Sequence, residues 1–185
     1  MTIWLTADLH IGHFNIIRYC NRPFDDLDQM HETMIRKWNE RVERGDNVYL
    51  LGDLGFVNRS GSEISEFISR VNGEIYLIRG NHDKGDKKWY LDQGISEVHD
   101  HYTILDGSLL SHYPMGPDVY DGKRTRKIKE MLSSVYMEND CNFHYYAHTH
   151  KSPVEGDDFM NVGVDLHDFY PVRYCRKVQL NMHYL

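Results

Sequence analysis

This sequence predicts an α/β fold with a parallel sheet, on three observations. Three short apolar runs, residues 2–7, 47–51 and 74–78, mix β-branched, aliphatic and aromatic residues in the manner of buried strands. Stretches with helical periodicity separate them, and alternation of strand and helix produces parallel pairing. Each run also stops at residues able to bind metal: Asp8 and His10, then Asp53, then Asn81 and His82. The ends of parallel strands are where α/β proteins keep their sites.

The elements follow in chain order. After residues 2–7, Asp8 and His10 stand two positions apart, and in extended backbone such residues point to the same side. An Asp and a neutral His form a mixed oxygen–nitrogen pair suited to a transition metal. Taken alone, the pair reads equally well as a strand end before a capped helix. Residues 14–19 form a short helical turn that stops before Asn21-Arg22-Pro23. Residues 25–28 offer N-caps for an amphipathic helix in which Met30, Met34, Ile35, Trp38 and Val42 recur up to Gly45. That stripe reads as core packing. Residues 60–71 predict a second long helix, with Ile64, Phe67, Ile68 and Val71 on one face.

The second half has a different texture. Residues 98–105 and 108–112 read as a β-hairpin across Asp106-Gly107, delivering His112 at its end. Residues 120–139 read as loop and then helix, carrying the basic run 123–129. A strand over 143–147 runs into His148-Thr149-His150, and further strands are expected over 158–164 and 178–182. No internal repeat, low-complexity segment or linker interrupts the chain, so a single domain spanning residues 1–185 is expected.

Composition removes several classes. Hydrophobic residues are 41% and charged residues 26%, which fits a soluble globular protein of 185 residues. No apolar run has the length of a membrane span. Asp8 and His10 interrupt what would be the apolar core of a secretory signal. Cys20, Cys141 and Cys175 are odd in number and widely spaced, which suits a reducing cytoplasm rather than a disulfide framework. A net charge of −7 argues against a broad nucleic-acid-binding face. Nothing in the sequence specifies an oligomeric state. The unusual feature is 12 histidines, and their positions decide what they mean.

Asp8, His10, Asp53, Asn81, His82, His112, His148 and His150 all fall at the ends of expected strands. Two metals can share this set if one carboxylate bridges them, and Asp53, on a central strand, is the natural bridge. Mixed nitrogen and oxygen donors suit Mn, Fe, Zn or Ni. A two-metal site, with ions about 3.5–4 Å apart, activates a hydroxide and neutralises charge on an in-line phosphoryl transfer. His82, with a reference pKa of about 6.5, is placed to help the leaving group. Asp83 would orient that imidazole or cap the next helix. His13, Asn15 and Arg22 are expected to approach substrate from loops beside the first strand, against a reading as caps and surface charge. The run 123–129 could hold a polyphosphate, nucleotide or nucleic-acid strand, but a solvated helix face is the favoured reading.

At this point the residues resemble a known series. Asp8-Leu9-His10, Gly52-Asp53, Gly80-Asn81-His82-Asp83, His112 and Ala147-His148-Thr149-His150 look like the ordered motifs of the calcineurin-like metallophosphoesterases. The run from Thr6 to His13, with Asn21-Arg22-Pro23-Phe24, is similar to a subgroup of small bacterial and phage enzymes. The resemblance implies a four-layer αββα sandwich, with two mixed sheets flanked by helices and the site at the strand ends. It implies one metal on Asp8, His10, Asp53 and His150, and another on Asp53, Asn81, His112 and His148. His82 would stand beside them, close to the substrate phosphate, without ligating. Two departures are visible: Ala147 stands where the family usually has Gly, and Leu54-Gly55-Phe56 replaces the Asp-Arg-Gly of protein phosphatases. The second speaks against a phosphoprotein substrate. Residues 113–142 are also longer than the subgroup usually needs.

The expected function is therefore hydrolysis of phosphodiesters or phosphomonoesters by a metal-bridging hydroxide, with two divalent ions as cofactors and a small nucleotide-like phosphoester favoured as substrate. The alternatives are a metal-dependent nuclease of the repair-exonuclease type and a non-catalytic scaffold. Acidic charge and compact length oppose the nuclease, and the complete ligand series opposes the scaffold.

Overall fold

The computed structural model describes residues 1–115, 123–154 and 156–176. The strand expected over 178–182 and the start of the 120–139 segment lie outside them. The first half runs β1 (Ile3–Thr6), α1 (Phe14–Tyr19), α2 (Leu27–Arg41), β2 (Asn47–Leu50), α3 (Val57–Arg70), β3 (Glu74–Ile78), α4 (Lys87–Asp92) and β4 (Ile95–His99). The second runs β5 (Tyr102–Leu105), β6 (Ser108–Ser111), α5 (Lys123–Glu138), β7 (Phe143–Tyr146), β8 (Phe159–Asn161), a 3₁₀ turn (Val164–Leu166) and β9 (Val172–Arg173). One sheet has the order β4-β3-β2-β1-β9 and the other β5-β6-β7-β8. In the first, β1 to β4 are parallel and β9 is antiparallel; in the second, the β5–β6 hairpin joins parallel β7 and β8.

Three apolar clusters bind four layers. Successive strand residues face opposite ways, so one strand can feed two cores. In β2 and the residue after it, Val48 and Leu50 join α1 to α4 in one cluster, while Tyr49 and Leu51 meet the second sheet. β6 does the same: Leu110 faces the inter-sheet core, and Leu109 meets Ile128, Leu132 and Val135 of α5. The fold is therefore helices, sheet, sheet, helix. Ala147 is fully buried in the inter-sheet cluster, so its methyl group packs there.

Several expectations hold closely. The side chain of Asp26 caps α2 by accepting from the Gln29 N–H at 2.8 Å. Asp106 (φ 48°) and Gly107 (φ 78°) turn the hairpin in the left-handed region that Asp-Gly favours. Others need correction. Residues 98 and 99 belong to β4 in the first sheet, and the hairpin begins only at Tyr102. A register shift opposite Ile75 and Tyr76 sets Ile95 and Val98, three residues apart, into one core. That bulge erases the alternation by which β4 could be recognised. Helix α3 starts at Val57 and is kinked at Ser60, which lies against Gly12: a Cβ there would sit 2.0 Å from Ser60 Oγ.

Candidate metal centre

Asp8, His10, Asp53, His148 and His150 meet at the carboxyl ends of β1, β2 and β7, but not through strand alternation. All five have positive φ, from 47° at His150 to 73° at His148. Left-handed backbone at non-glycine residues costs roughly 1–3 kcal/mol each and concentrates at functional sites. Asp8 and His10 thus converge through tight turns after β1, not through extended backbone. Gly52 and Gly80 let those turns touch. A Cβ on Gly52 would lie 2.6 Å from His112 Nδ1, and one on Gly80 would lie 2.2 Å from Asp53 Oδ1.

Of the four overlapping groups of donor atoms found here among the described residues, two together take in six of the expected ligands. Asp8, His10 and His150 form one, and Asp53, His112 and His148 form the other. The carboxylate of Asp53 lies between them: its Oδ2 is 3.5 Å from His10 Nε2 and 3.5 Å from His112 Nε2. Asn81 Oδ1 stands 3.0 Å from His112 Nε2, and His148 Nδ1 stands 3.2 Å from the same atom. Tautomers follow from the outer partners. Leu51 O can only accept, so His112 Nδ1, 2.9 Å away, carries the hydrogen and Nε2 presents a lone pair. His150 Nδ1 likewise donates to Asp165 Oδ2 at 2.8 Å and leaves Nε2 for the centre.

The electrostatics fit a cation. Burial raises Asp8 to about 6, with the nearby His150 opposing, and burial raises Asp53 well above the usual carboxylate range. Burial also lowers His10 and His112 well below ordinary histidine values. Asp8 Oδ1 and both ring nitrogens of His10 are buried with no hydrogen-bond partner among the described residues. Such groups cost free energy unless something pairs with them. Acceptors that face one another at about 3 Å, with unpaired carboxylate and imidazole atoms beside them, are a donor set that divalent metal would satisfy.

The remaining expected residues divide. His82 lies at the rim: its Nε2 is 3.8 Å from Asp53 Oδ2, its backbone N–H donates to Asp53 Oδ1, and its ring meets Phe56 edge-on at 4.5 Å. Geometry alone would allow it as a ligand with His10 and Asp53. Burial, followed by neighbouring cationic groups, lowers its pKa to about 4, so the reference value of about 6.5 does not apply. His13 stands next to it, with ring contacts to His10, Phe56 and His82 and a buried Nδ1 that has no hydrogen-bond partner among the described residues. Asn15 is exposed in the first turn of α1.

Two expectations are overturned. Arg22 does not face substrate: its side chain is fully buried and all five N–H groups are engaged. They bond Asp8 O, Leu9 O, Met30 Sδ and both carboxylate oxygens of Asp165. Asp83 neither orients His82 nor caps α4, whose cap is Asp86. It accepts instead from the backbone N–H groups of Asp53, Leu54 and Gly80 at 2.7, 3.0 and 2.8 Å, tying two site loops together. Asp165, Phe56 and Tyr113 also belong to the site and are not among the expected residues. Asp165, in the 3₁₀ turn, is held below the usual carboxylate range: burial opposes this, but His150 and Arg22 prevail. No short motif marks any of the three.

Comparison with known proteins agrees. The family profile of the calcineurin-like phosphoesterases matches residues 1–152, which include every expected ligand. An uncharacterized protein of Methanocaldococcus jannaschii is 46% identical over 87 residues, covering 47% of this chain and 49% of that protein. The chain thus spans about half the length of that relative or less in the first curated matches. The Gene 66 protein of Mycobacterium phage D29 is 26% identical, covering 95% of this chain and 94% of its own. A protein of unknown function from Aquifex aeolicus has the same fold, with a TM-score of 0.78, 23% identity, and coverage of 93% of this chain and 95% of its own. Among the described residues no helix is long and apolar enough to cross a membrane. The ordered motifs, the two mixed sheets between helices and the profile match converge: this chain belongs to the calcineurin-like phosphoesterases.

Proposed function

We propose that this chain, as one domain, is a binuclear-metal-dependent phosphodiesterase acting on a small, nucleotide-like substrate in a reducing compartment. The observation that carries the reading is the shared carboxylate: Asp53 Oδ2 is equidistant from His10 and His112, each in its own donor group. Asp8, His10, Asp53 and His150 would hold one divalent ion, and Asp53, Asn81, His112 and His148 the other. Mn²⁺ is the first candidate for this mixed oxygen–nitrogen set. When bound, such a pair supplies nucleophile activation and offsets negative charge on a phosphoryl group.

The protein does the rest. Asp165 and Leu51 O fix the tautomers of His150 and His112, and Asp83 holds the Asp53 and Gly80 loops in register. His82, a neutral imidazole in this environment, keeps one N–H, which we assign as the hydrogen-bond donor to the leaving oxygen. Its edge-on contact with Phe56 restricts the ring to the rim of the centre. His13, in ring contact with His82, lies on the same flank and would contact the departing group, and the exposed Asn15 two residues on would join it. A net charge of −7 favours a small ester over a polynucleotide.

A substrate panel tests this. Bis-p-nitrophenyl phosphate, p-nitrophenyl phosphate, a dinucleotide and single-stranded DNA are each incubated with protein loaded with Mn²⁺, Zn²⁺, Ni²⁺ or Fe²⁺. Metal-dependent cleavage of the small diesters above the monoester and DNA supports the proposal. Preference for DNA would make the protein a nuclease, and inactivity on all four would contradict the enzymatic reading.

A further inference from the structure

Beside the centre lies a cavity of about 330 Å³ that the chemistry above does not use. Its lining includes Asn81, placed among the proposed ligands, and Tyr113, whose ring packs at 4.6 Å from His148 and 5.1 Å from His112. The cavity therefore opens next to the His112 and His148 donor group. His82, Phe56 and His13, on the flank assigned to the leaving group, are not in its lining.

The character of the walls decides what would fit. Arg79 is spent: Nε donates to Asp83 O, one terminal nitrogen to Gly85 O and the other to Asp100. The guanidinium is thereby a fixed planar wall with its charge already paired. Lys84 is exposed, so the two cationic side chains of the lining are matched by two carboxylates, Asp83 and Asp100. A second phosphate would meet as many carboxylates as cationic side chains in this lining. Tyr113 adds an aromatic surface, Ile128 of α5 a buried apolar one, and His101 a half-buried ring with hydrogen-bonding edges. The volume is at the low end of small-ligand sites, which run roughly 300–1,000 Å³.

We propose that this cavity is the subsite for the retained substituent of a phosphodiester, and that it takes one uncharged planar group of the nucleoside class. The proposal rests on the phosphodiesterase reading and deepens it: a monoester substrate carries only its leaving group, whereas a diester, and the monoester product left after cleavage, carries the retained substituent this cavity would hold. It also gives Ile128, within the basic run, a role in packing against substrate rather than in binding phosphate.

The test compares two diesters with one leaving group, thymidine 5′-(p-nitrophenyl phosphate) and methyl p-nitrophenyl phosphate, on the Mn²⁺-loaded protein. Their kcat/KM ratio should favour the nucleoside about ten- to hundred-fold, mostly through KM, as base stacking and edge contacts would give. Ile128→Phe, which fills the cavity, and His101→Ala, a milder change, should each lower the ratio at least several-fold, with folding checked by thermal melting. A second arm needs no turnover: Kd for thymidine 5′-phosphate against methyl phosphate, by calorimetry, should show the same preference and the same loss. A ratio near one in both arms, or one indifferent to both variants, overturns the subsite. If neither ester is cleaved with Mn²⁺ or with Zn²⁺, Ni²⁺ or Fe²⁺ in its place, the proposed function fails, while the binding ratio still judges the cavity.

Discussion

His150 Nδ1 lies 2.8 Å from Asp165 Oδ2, and the guanidinium of Arg22 grips the same carboxylate at 2.9 and 3.0 Å. This chain of contacts aims His150 at Asp8 and His10 from behind. Burial opposes a charged imidazole, but Asp165, Cys20 and Asp8 prevail and raise His150 to about 10 in the metal-free protein. Asp165→Asn should therefore release the ring. We expect Mn²⁺ affinity to fall about ten- to hundred-fold, as other losses of a histidine's outer partner do. Stability should also drop by roughly 3–5 kcal/mol, because Arg22 is left buried without its counter-charge. Calorimetric titration and urea unfolding read the two effects separately.

Asp83 should behave as a structural clamp. Asp83→Ala leaves three backbone N–H groups of the Asp53 and Gly80 loops without their acceptor, and each such loss costs about 1–3 kcal/mol when water cannot replace it. A marked fall in melting temperature is expected, with loss of metal binding. A variant of normal stability and impaired kcat alone would return Asp83 to a chemical role.

His82→Ala separates support of the leaving group from ligation. Both metals should stay bound, while kcat falls about 10²–10⁴-fold for alkyl diesters and much less for p-nitrophenyl diesters, whose leaving group needs little help. Loss of one metal would make His82 a ligand, as its 3.8 Å approach to Asp53 allows. Equal losses on both substrates would point to holding the phosphate.

His144 gives a pH signature away from the centre. Ser111 Oγ donates to Tyr113 O, so at 2.7 Å it must accept from His144 Nε2–H, and His144 Nδ1 is buried with no partner among the described residues. Burial lowers its pKa to about 3. The unfolded chain, near 6.5, therefore takes the proton first, so stability is full above that pH and falls as pH drops toward 3. Between pH 6.5 and 5 the loss should be roughly 2 kcal/mol from this group. His144→Phe removes it, and the difference between the two unfolding profiles over that range measures it. Parallel profiles would show that His144 does not stay neutral.

Much of this was legible because chemistry and apolar pattern changed at the same places. Each buried run stopped at Asp, Asn or His, and β2 and β3 were bounded to within a residue. What stayed hidden depended on contacts that carry no local sign. β4 was lost to a bulge that put Ile95 and Val98 on one face. Arg22 was expected to face substrate because its partner, Asp165, is 143 residues away and gives no local sign. The left-handed turns at Asp8 and His10 imitate, in sequence, the simple alternation of a strand.

Metal stoichiometry of the wild-type protein and of Asp53→Asn tests the shared carboxylate most directly. Elemental analysis after Mn²⁺ titration should give two ions per wild-type chain, and Asp53→Asn should weaken both sites together, since its carboxylate faces His10 and His112 alike. Saturation at one ion with full activity, or an Asp53→Asn protein that binds two ions with undiminished affinity, would contradict a centre built on Asp53.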